Sequence, residues 1–148
     1  DLGFAKKARN YAAALDVPLA FIEKRRIGNE ARSQALSLIG DVDGRDVIIA
    51  DDEVDTGGSI ESAVNLVKEK GARNVYVVFV HPVLSQNAAA RLAALPVTQF
   101  ITTDTLPLTA EKRAHLGDRL TVLSVAPLLG DVIHRIHEGR SVGVLFNE

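Results

Sequence analysis

The sequence has no cysteine, no methionine and no tryptophan, and aromatic residues make up only 5% of its 148 positions. The lack of cysteine excludes disulfide bonds and thiolate chemistry. A net charge of −2 gives no reason to expect nucleic acid or an acidic membrane surface as a partner. No apolar run reaches the length of a membrane-spanning helix, and no segment has the pattern of a signal peptide. We therefore expect a cytoplasmic protein, and the absence of methionine indicates a processed product or part of a longer protein.

The rest of the composition is that of an ordinary globular protein, with 47% hydrophobic and 24% charged residues. A chain of this length can bury one core, so we predict a single domain over residues 1–148. Strand-like and helix-like segments alternate along it. This alternation is typical of an α/β fold, and we predict a doubly wound, mainly parallel sheet with helices on both faces.

Local patterns predict the individual elements. The predicted helices cover residues 4–15, 59–70, 87–95 with Ser85 as N-cap, and a last helix from Pro127 to Gly139. The predicted strands cover 19–22, 47–50, 74–80, 97–102 and 120–125, with a strand or irregular arm at 33–39 and a short final strand at 141–146. Residues 107–118 are polar, and we predict no regular structure there.

The most informative stretch is the strand Val47–Ala50, followed by two carboxylates and the turn Asp55-Thr56-Gly57-Gly58-Ser59. The turn precedes a helix, so its amides and two hydroxyls form an anion site that glycine opens to close approach. Asp51 and Asp52 suit vicinal ribose hydroxyls, or Mg²⁺ through water. Ligands of open α/β sheets bind at this place, so we predict a sugar-phosphate site. The alternative is a plain turn and helix cap.

A second candidate site is the basic triplet Lys24-Arg25-Arg26, which we predict to lie in a loop after the strand at 19–22. Cations stabilise the charge that develops during phosphoryl transfer. The alternative interpretation is a solvated basic loop. The sugar-phosphate turn farther along the chain favours the functional one.

Seven segments in one order resemble the C-terminal half of a ribose-phosphate pyrophosphokinase, over essentially the whole chain. These segments are Asp1-Leu2-Gly3, Lys24-Arg25-Arg26, Asp51-Asp52, Asp55-Thr56-Gly57-Gly58-Ser59, His81-Pro82-Val83-Leu84-Ser85, Thr103-Asp104-Thr105 and Ser141-Val142-Gly143-Val144-Leu145-Phe146. The Asp55–Ser59 turn alone resembles the phosphoribosyl-pyrophosphate motif that type I phosphoribosyltransferases share with this family. The basic triplet and the His81–Ser85 segment are more specific to the pyrophosphokinases.

The resemblance implies that ribose 5-phosphate attacks Mg·ATP through its anomeric hydroxyl and yields phosphoribosyl pyrophosphate and AMP. It assigns the 5-phosphate to residues 55–59 and the ribose hydroxyls to Asp51 and Asp52. Lys24 and Arg26 would lie on a mobile loop over the transferred group, and Asp1 would help to hold Mg²⁺. It also implies a homo-oligomer, from dimer to hexamer, with no nucleic acid or membrane as partner.

Three features depart from the family pattern. No segment corresponds to the N-terminal half, which supplies most adenine contacts, so we expect an incomplete ATP site. Ser59 replaces the more usual threonine, and Gly143 replaces a serine of the tail, which puts regulation by phosphate and ADP in doubt. Two other functions remain open, a non-catalytic regulatory subunit and a phosphoribosyltransferase, although no base-recognition segment is visible.

Overall fold

The computed structural model describes residues 2–26 and 34–145, with side chains for residues 8–23 and 36–145. In chain order the elements are α1 (Leu2–Leu15), β1 (Phe21–Arg26), β2 (Gln34–Ile39), β3 (Val47–Glu53), α2 (Gly58–Glu69), β4 (Val75–His81), α3 (Ala88–Ala93), β5 (Gln99–Thr103), α4 (Ala110–Leu116), β6 (Leu120–Leu123) and α5 (Ala126–His137). Single turns of 3-10 helix lie at Gly117–Arg119 and Gly143–Leu145. Among the helices of the described part, none has the length and apolar character that crossing a bilayer requires.

The main sheet is parallel, with strand order β3-β4-β5-β6, and β1 and β2 form a separate antiparallel pair. The predicted α/β class with a mainly parallel sheet and flanking helices is confirmed. The described strands of this sheet follow one another in sequence order. Helix α3 contacts both α2 and α4, so these three helices form one layer against the sheet.

The core lies between this helix layer and the sheet. Along β4 the burial alternates, and Val75, Val77 and Phe79 point into the core because successive side chains of a strand point to opposite faces. Phe100 of β5 and Leu92 of α3 complete the centre of the core, both with no exposed surface. These contacts fix β3, β4 and β5 side by side, which places their carboxyl ends at one edge.

Several apolar side chains stay exposed in the described part of the chain. Helix α5 has no buried residue, and its apolar side chains at 129, 133 and 136 are 54%, 69% and 65% exposed. Ile48 on β3 is likewise half-exposed. Pro127 begins α5 and Gly139, with φ 68°, follows its end, as predicted for this helix.

Four local predictions are wrong. The basic triplet does not lie in a loop, because β1 continues to Arg26 and Lys24 pairs with Leu36 of β2. The predicted irregular stretch contains α4, whose N-cap Thr109 accepts a hydrogen bond from the amide of Lys112 at 3.3 Å. The N-cap of α3 is Asn87, not Ser85. The tail forms a 3-10 turn at Gly143–Leu145 instead of a strand, and Phe146 lies outside the described residues.

Candidate functional site

The candidate site lies where β3 ends and α2 begins. A cavity of about 180 Å³ opens there, and it is lined by Asp51, Glu53, Val54, Asp55, Thr56, Gly57, Gly58, Ser59 and Ile60. The structure therefore brings together Asp51 and the whole turn 55–59. Asp52 is not among the lining residues, whereas Glu53, which the sequence interpretation did not include, is one of them.

The backbone of the turn suits an anion. Gly57 is the N-cap of α2 with φ 78° and ψ −1°, and no side chain caps this end of the helix. The first intrahelical bond runs from the amide of Glu61 to the carbonyl of Gly57, at 2.9 Å. The amides that precede Glu61 have no partner inside the helix. They border the cavity at the positive end of the helix dipole, where a bound anion is stabilised.

A second chain segment holds the turn in place. The amide of Val54 donates to the carbonyl of His81 at 3.1 Å, and the amides of Leu84 and Ser85 donate to the carbonyls of Val54 and Asp55 at 2.9 and 3.0 Å. Leu84 is fully buried and has φ 46°, a conformation that is uncommon for a residue with a side chain. The His81–Ser85 segment, singled out in the sequence as a family feature, thus holds the start of the turn through backbone hydrogen bonds.

The carboxylates at the end of β3 are crowded. Asp51 Oδ1 accepts the amide of Asp52 at 2.9 Å, and Asp52 Oδ1 accepts the amide of Glu53 at 3.1 Å. Partial burial raises the pKa of Asp51 above its ordinary value, and the neighbouring charges of Asp52 and Glu53 act in the same direction. Strand alternation puts Asp51 and Glu53 on one side of β3 and Asp52 on the other. This period of two was the signal that could have identified Glu53.

Residues at the carboxyl ends of β4 and β5 form hydrogen bonds with other parts of the protein. The hydroxyls of Thr103 and Thr105 donate to the carbonyl of Val80, at 2.7 and 3.1 Å, and His81 Nδ1 lies 3.0 Å from Thr105 Oγ1. Asp104 accepts hydrogen bonds from the hydroxyl of Ser124 at 2.6 Å and from the amide of Val125 at 2.8 Å, just before α5. These bonds lower the pKa of Asp104. The Thr103–Thr105 segment therefore ties strands and a helix together.

The remaining predicted site residues are only partly described. The backbones of Lys24 and Arg26 lie on β1, but their side chains fall outside the described residues, as does Asp1. Their assigned roles therefore stay predictions. A larger cavity, of about 820 Å³, separates α1, β1 and β2 from β3 and α2. Its lining is mainly apolar, so it suits a phosphate far less than the smaller cavity does.

The arrangement places a helix start suited to an anion and carboxylate acceptors suited to hydroxyl groups around one cavity. Among the residues that the structure describes, no three acidic, histidine or cysteine side chains form a group able to hold a metal ion. Asp51 and Glu53 could contribute one or two oxygens to a cation that is held mostly by phosphate. The site can thus bind a phosphorylated, hydroxyl-bearing ligand.

Comparison with known proteins identifies the family. Residues 27–147 match the family model of the phosphoribosyl synthetase-associated domain. The chain is 44% identical to a ribose-phosphate pyrophosphokinase of Deinococcus radiodurans, over 99% of its own length and 45% of that protein. It is 43% identical to the one of Corynebacterium glutamicum, over 99% of this chain and 44% of the relative.

A solved structure agrees with this result. The crystal structure of phosphoribosylpyrophosphate synthetase from Mycobacterium smegmatis superposes with a TM-score of 0.82 and 43% sequence identity, over 93% of this chain and 43% of that one. The chain thus spans less than half the length of these relatives. From the matched family model and the relatives together, the chain belongs to the ribose-phosphate pyrophosphokinase family.

Proposed function

We propose that this chain supplies the ribose 5-phosphate site of an enzyme that makes phosphoribosyl pyrophosphate and AMP from ribose 5-phosphate and Mg·ATP. The observation that carries the proposal is the cavity in which the uncapped start of α2 lies beside the carboxylates of β3. A phosphate dianion and vicinal hydroxyls are the two ligand groups that such an arrangement binds together. The names of the relatives support the same reaction class.

The residues of the turn would divide the ligand between them. Main-chain amides of residues 56–59, with the hydroxyls of Thr56 and Ser59, would hold the 5-phosphate. Asp51, with Glu53 beside it, would accept hydrogen bonds from the ribose hydroxyls. Asp55 lines the cavity and is exposed, so it can orient the sugar as it enters. Asp52 stays a proposed ribose contact, although its position on the strand directs it to the other side.

The transfer itself needs positioned charge more than covalent chemistry. The anomeric oxygen forms a bond to the β-phosphorus, the bond from that phosphorus to the α,β-bridging oxygen breaks, and AMP leaves while the hydroxyl proton is released. We propose that Lys24 and Arg26 stabilise the charge on the transferred group. The β1–β2 pair carries both residues. Arginine offers a planar fork for two phosphate oxygens, and lysine a compact charge.

Magnesium would arrive with the nucleotide. Mg²⁺ keeps several waters and is bound by one or two carboxylates together with substrate phosphates. Asp1, which lies outside those residues, is the proposed protein ligand. When bound, the ion neutralises negative charge on the transferred diphosphoryl group.

We further propose that this chain is the C-terminal, type I phosphoribosyltransferase-like half of the enzyme. The N-terminal half would then supply most of the ATP site, and the enzyme would be a cytoplasmic homo-oligomer. The chain spans 45% and 44% of the two relatives named above, which supports a half-length unit. The assignment to the C-terminal half, the location and the oligomer rest on the family resemblance of the sequence segments.

Two measurements test the proposed reaction. The full-length parent should release AMP from ATP only in the presence of ribose 5-phosphate, whereas the 148-residue chain alone should be nearly inactive. Lys24→Ala in the parent should lower turnover by several orders of magnitude while calorimetric binding of ribose 5-phosphate survives. AMP release that is independent of ribose 5-phosphate would refute the proposal, and unchanged turnover would remove Lys24 from the mechanism.

A non-catalytic regulatory subunit is the second candidate, because the matching family model is described as a synthetase-associated domain. Such a subunit would bind ribose 5-phosphate or phosphate without any turnover. The full-length parent distinguishes the two candidates, since a catalytic subunit forms AMP on its own and a regulatory one changes only the rate of a partner enzyme.

A further inference from the structure

The phosphate turn has a cation at its side that none of the roles above uses. Arg91 lies in the last turn of α3, next to the fully buried Leu92. A Cβ atom placed on Gly58 would lie 3.3 Å from Arg91 Nη1, and one placed on Gly57 would lie 3.7 Å from Arg91 Cδ and 3.5 Å from Leu92 Cδ2. The arginine side chain therefore runs along the two glycines of the turn.

The charge partner of Arg91 is also part of this helix start. Arg91 Nε lies 3.7 Å from Glu61 Oε2, and both side chains are nearly half exposed, 44% and 42%. This distance is too long for a hydrogen bond, so the pair is held by charge alone. Within the described part of the chain the guanidinium makes no hydrogen bond, and its donors stay available.

Glu61 makes this cation important for an anionic ligand. It occupies the first turn of α2, where a carboxylate is favoured by the helix dipole but competes with a bound phosphate for the same positive end. Arg91 offsets that negative charge and adds its own positive potential at the turn. A unit charge beside a phosphate-binding turn interacts with the bound anion even at the effective dielectric of a surface site.

We propose that Arg91 is a positioning and charge residue of the phosphate site, acting on a sugar phosphate or free phosphate bound at residues 56–59 and opposed there by Glu61. The inference rests on the proposed function, since it assumes an anion at this turn. Under this proposal Arg91 raises the affinity for the phosphate dianion and Glu61 lowers it.

The test is calorimetric titration of the chain with ribose 5-phosphate and, separately, with inorganic phosphate. Arg91→Gln should weaken the binding of both ligands about 10-fold at low salt, as expected for loss of one charge near a dianion. Arg91→Lys should recover most of the affinity, because the charge is kept. Glu61→Gln should tighten binding by about 3-fold, and all three effects should shrink as salt screens the charges.

A matched ion pair at the other end of the sheet provides the control. Arg45 contacts Asp41 at 3.0 Å, before β3 begins, so Arg45→Gln removes a comparable cation remote from the turn. We expect it to leave both affinities unchanged. Far-ultraviolet circular dichroism of each variant should match that of the unaltered chain.

The possible failures are distinguishable. If the unaltered chain binds neither ligand, the proposed function is wrong and the inference with it. If the unaltered chain binds but Arg91→Gln binds equally well, or if Arg91→Lys is as weak as Arg91→Gln, the inference alone is overturned. Weaker binding by Glu61→Gln would also contradict it, since a merely structural ion pair would lose affinity with either partner removed.

Discussion

The carboxylates at the two ends of the parallel sheet have opposite environments. At the amino ends of the strands, Asp46 accepts hydrogen bonds from Arg73 at 2.8 Å and from Asn74 at 2.9 Å, and Arg45 lies against Asp41. These partners lower the pKa values of Asp46 and Asp41. At the carboxyl end of β3, burial and neighbouring acids raise the pKa of Asp51.

This difference separates carboxylates that are paired with cations from carboxylates that have no cation partner among the described residues. Carboxylates that are paired with an arginine or an amide have their hydrogen bonds satisfied within the protein. They therefore offer a substrate few free acceptors. In the described part of the chain no cation contacts Asp51, Glu53 or Asp55 closely enough to form an ion pair. Acids crowded without compensation are typical of functional sites. The contrast is confined to β3, because Asp104 at the end of β5 is bonded to Ser124 and Val125.

The largest expected effect comes from two matched glycines, one at each end. Gly57→Ala and Gly44→Ala both put a side chain at a positive φ, 78° and 64°, and neither added Cβ meets an atom closer than 3.5 Å. Each should lower the free energy of unfolding by about 1–2 kcal/mol. Only Gly57→Ala should also weaken ribose 5-phosphate binding, by about 10-fold or more, because amide donors to a charged group are displaced. Calorimetry and urea unfolding measure the two effects, and equal binding losses would abolish the distinction between the ends.

Asp51→Asn should have opposite effects on stability and binding. Because the pKa of Asp51 is raised in the folded chain, the ionised side chain opposes folding at neutral pH, and this penalty disappears as the pH falls below the folded pKa. The asparagine variant should therefore gain stability relative to the unaltered chain at pH 7, and the gain should fade in acid. Its affinity for ribose 5-phosphate should decrease. Urea unfolding from pH 3 to 7 measures the trend, and a variant that is less stable at pH 7 would contradict it.

Asp46→Asn should have the smallest effect, at the amino end. The pKa of Asp46 is lowered by Arg73, so its contribution to stability is present above the ordinary aspartate pKa and is lost as the pH falls through the folded value. The variant should lose a little stability at neutral pH and low salt, since exposed ion pairs contribute little. Ribose 5-phosphate binding should not change. A clear loss of binding would show that this end of the sheet also influences the ligand.

Local pattern predicted the strand, turn and helix of the candidate site better than the elements around them. The strand at 47–50, the turn at 55–59 and the helix after it were all evident, because burial, glycine and an amphipathic period coincide over one short stretch. The structure extends β3 through Glu53 and begins α2 at Gly58. The same period of two, applied to the three acids, separates Asp51 and Glu53 from Asp52.

Features that depend on distant partners were missed. Lys24 to Arg26 continue β1 because β2 offers the pairing edge, which no local property of three basic residues indicates. Helix α4 is short and polar and depends on the Thr109 cap and the burial of Leu116. The order of the strands in the sheet likewise depends on distant pairing, since a single strand's pattern carries no information about its neighbours.

The hydrogen bonds from the amides of Leu84 and Ser85 to the carbonyls of Val54 and Asp55 allow the shape of the turn at residues 55–59 to be followed from a neighbouring segment. Their amide protons should exchange slowly with deuterated solvent for as long as the turn keeps its shape, whether or not anything occupies the cavity. The nuclear magnetic resonance signals of these two amides would thus report, in every variant, whether the turn keeps its shape, separately from ligand affinity.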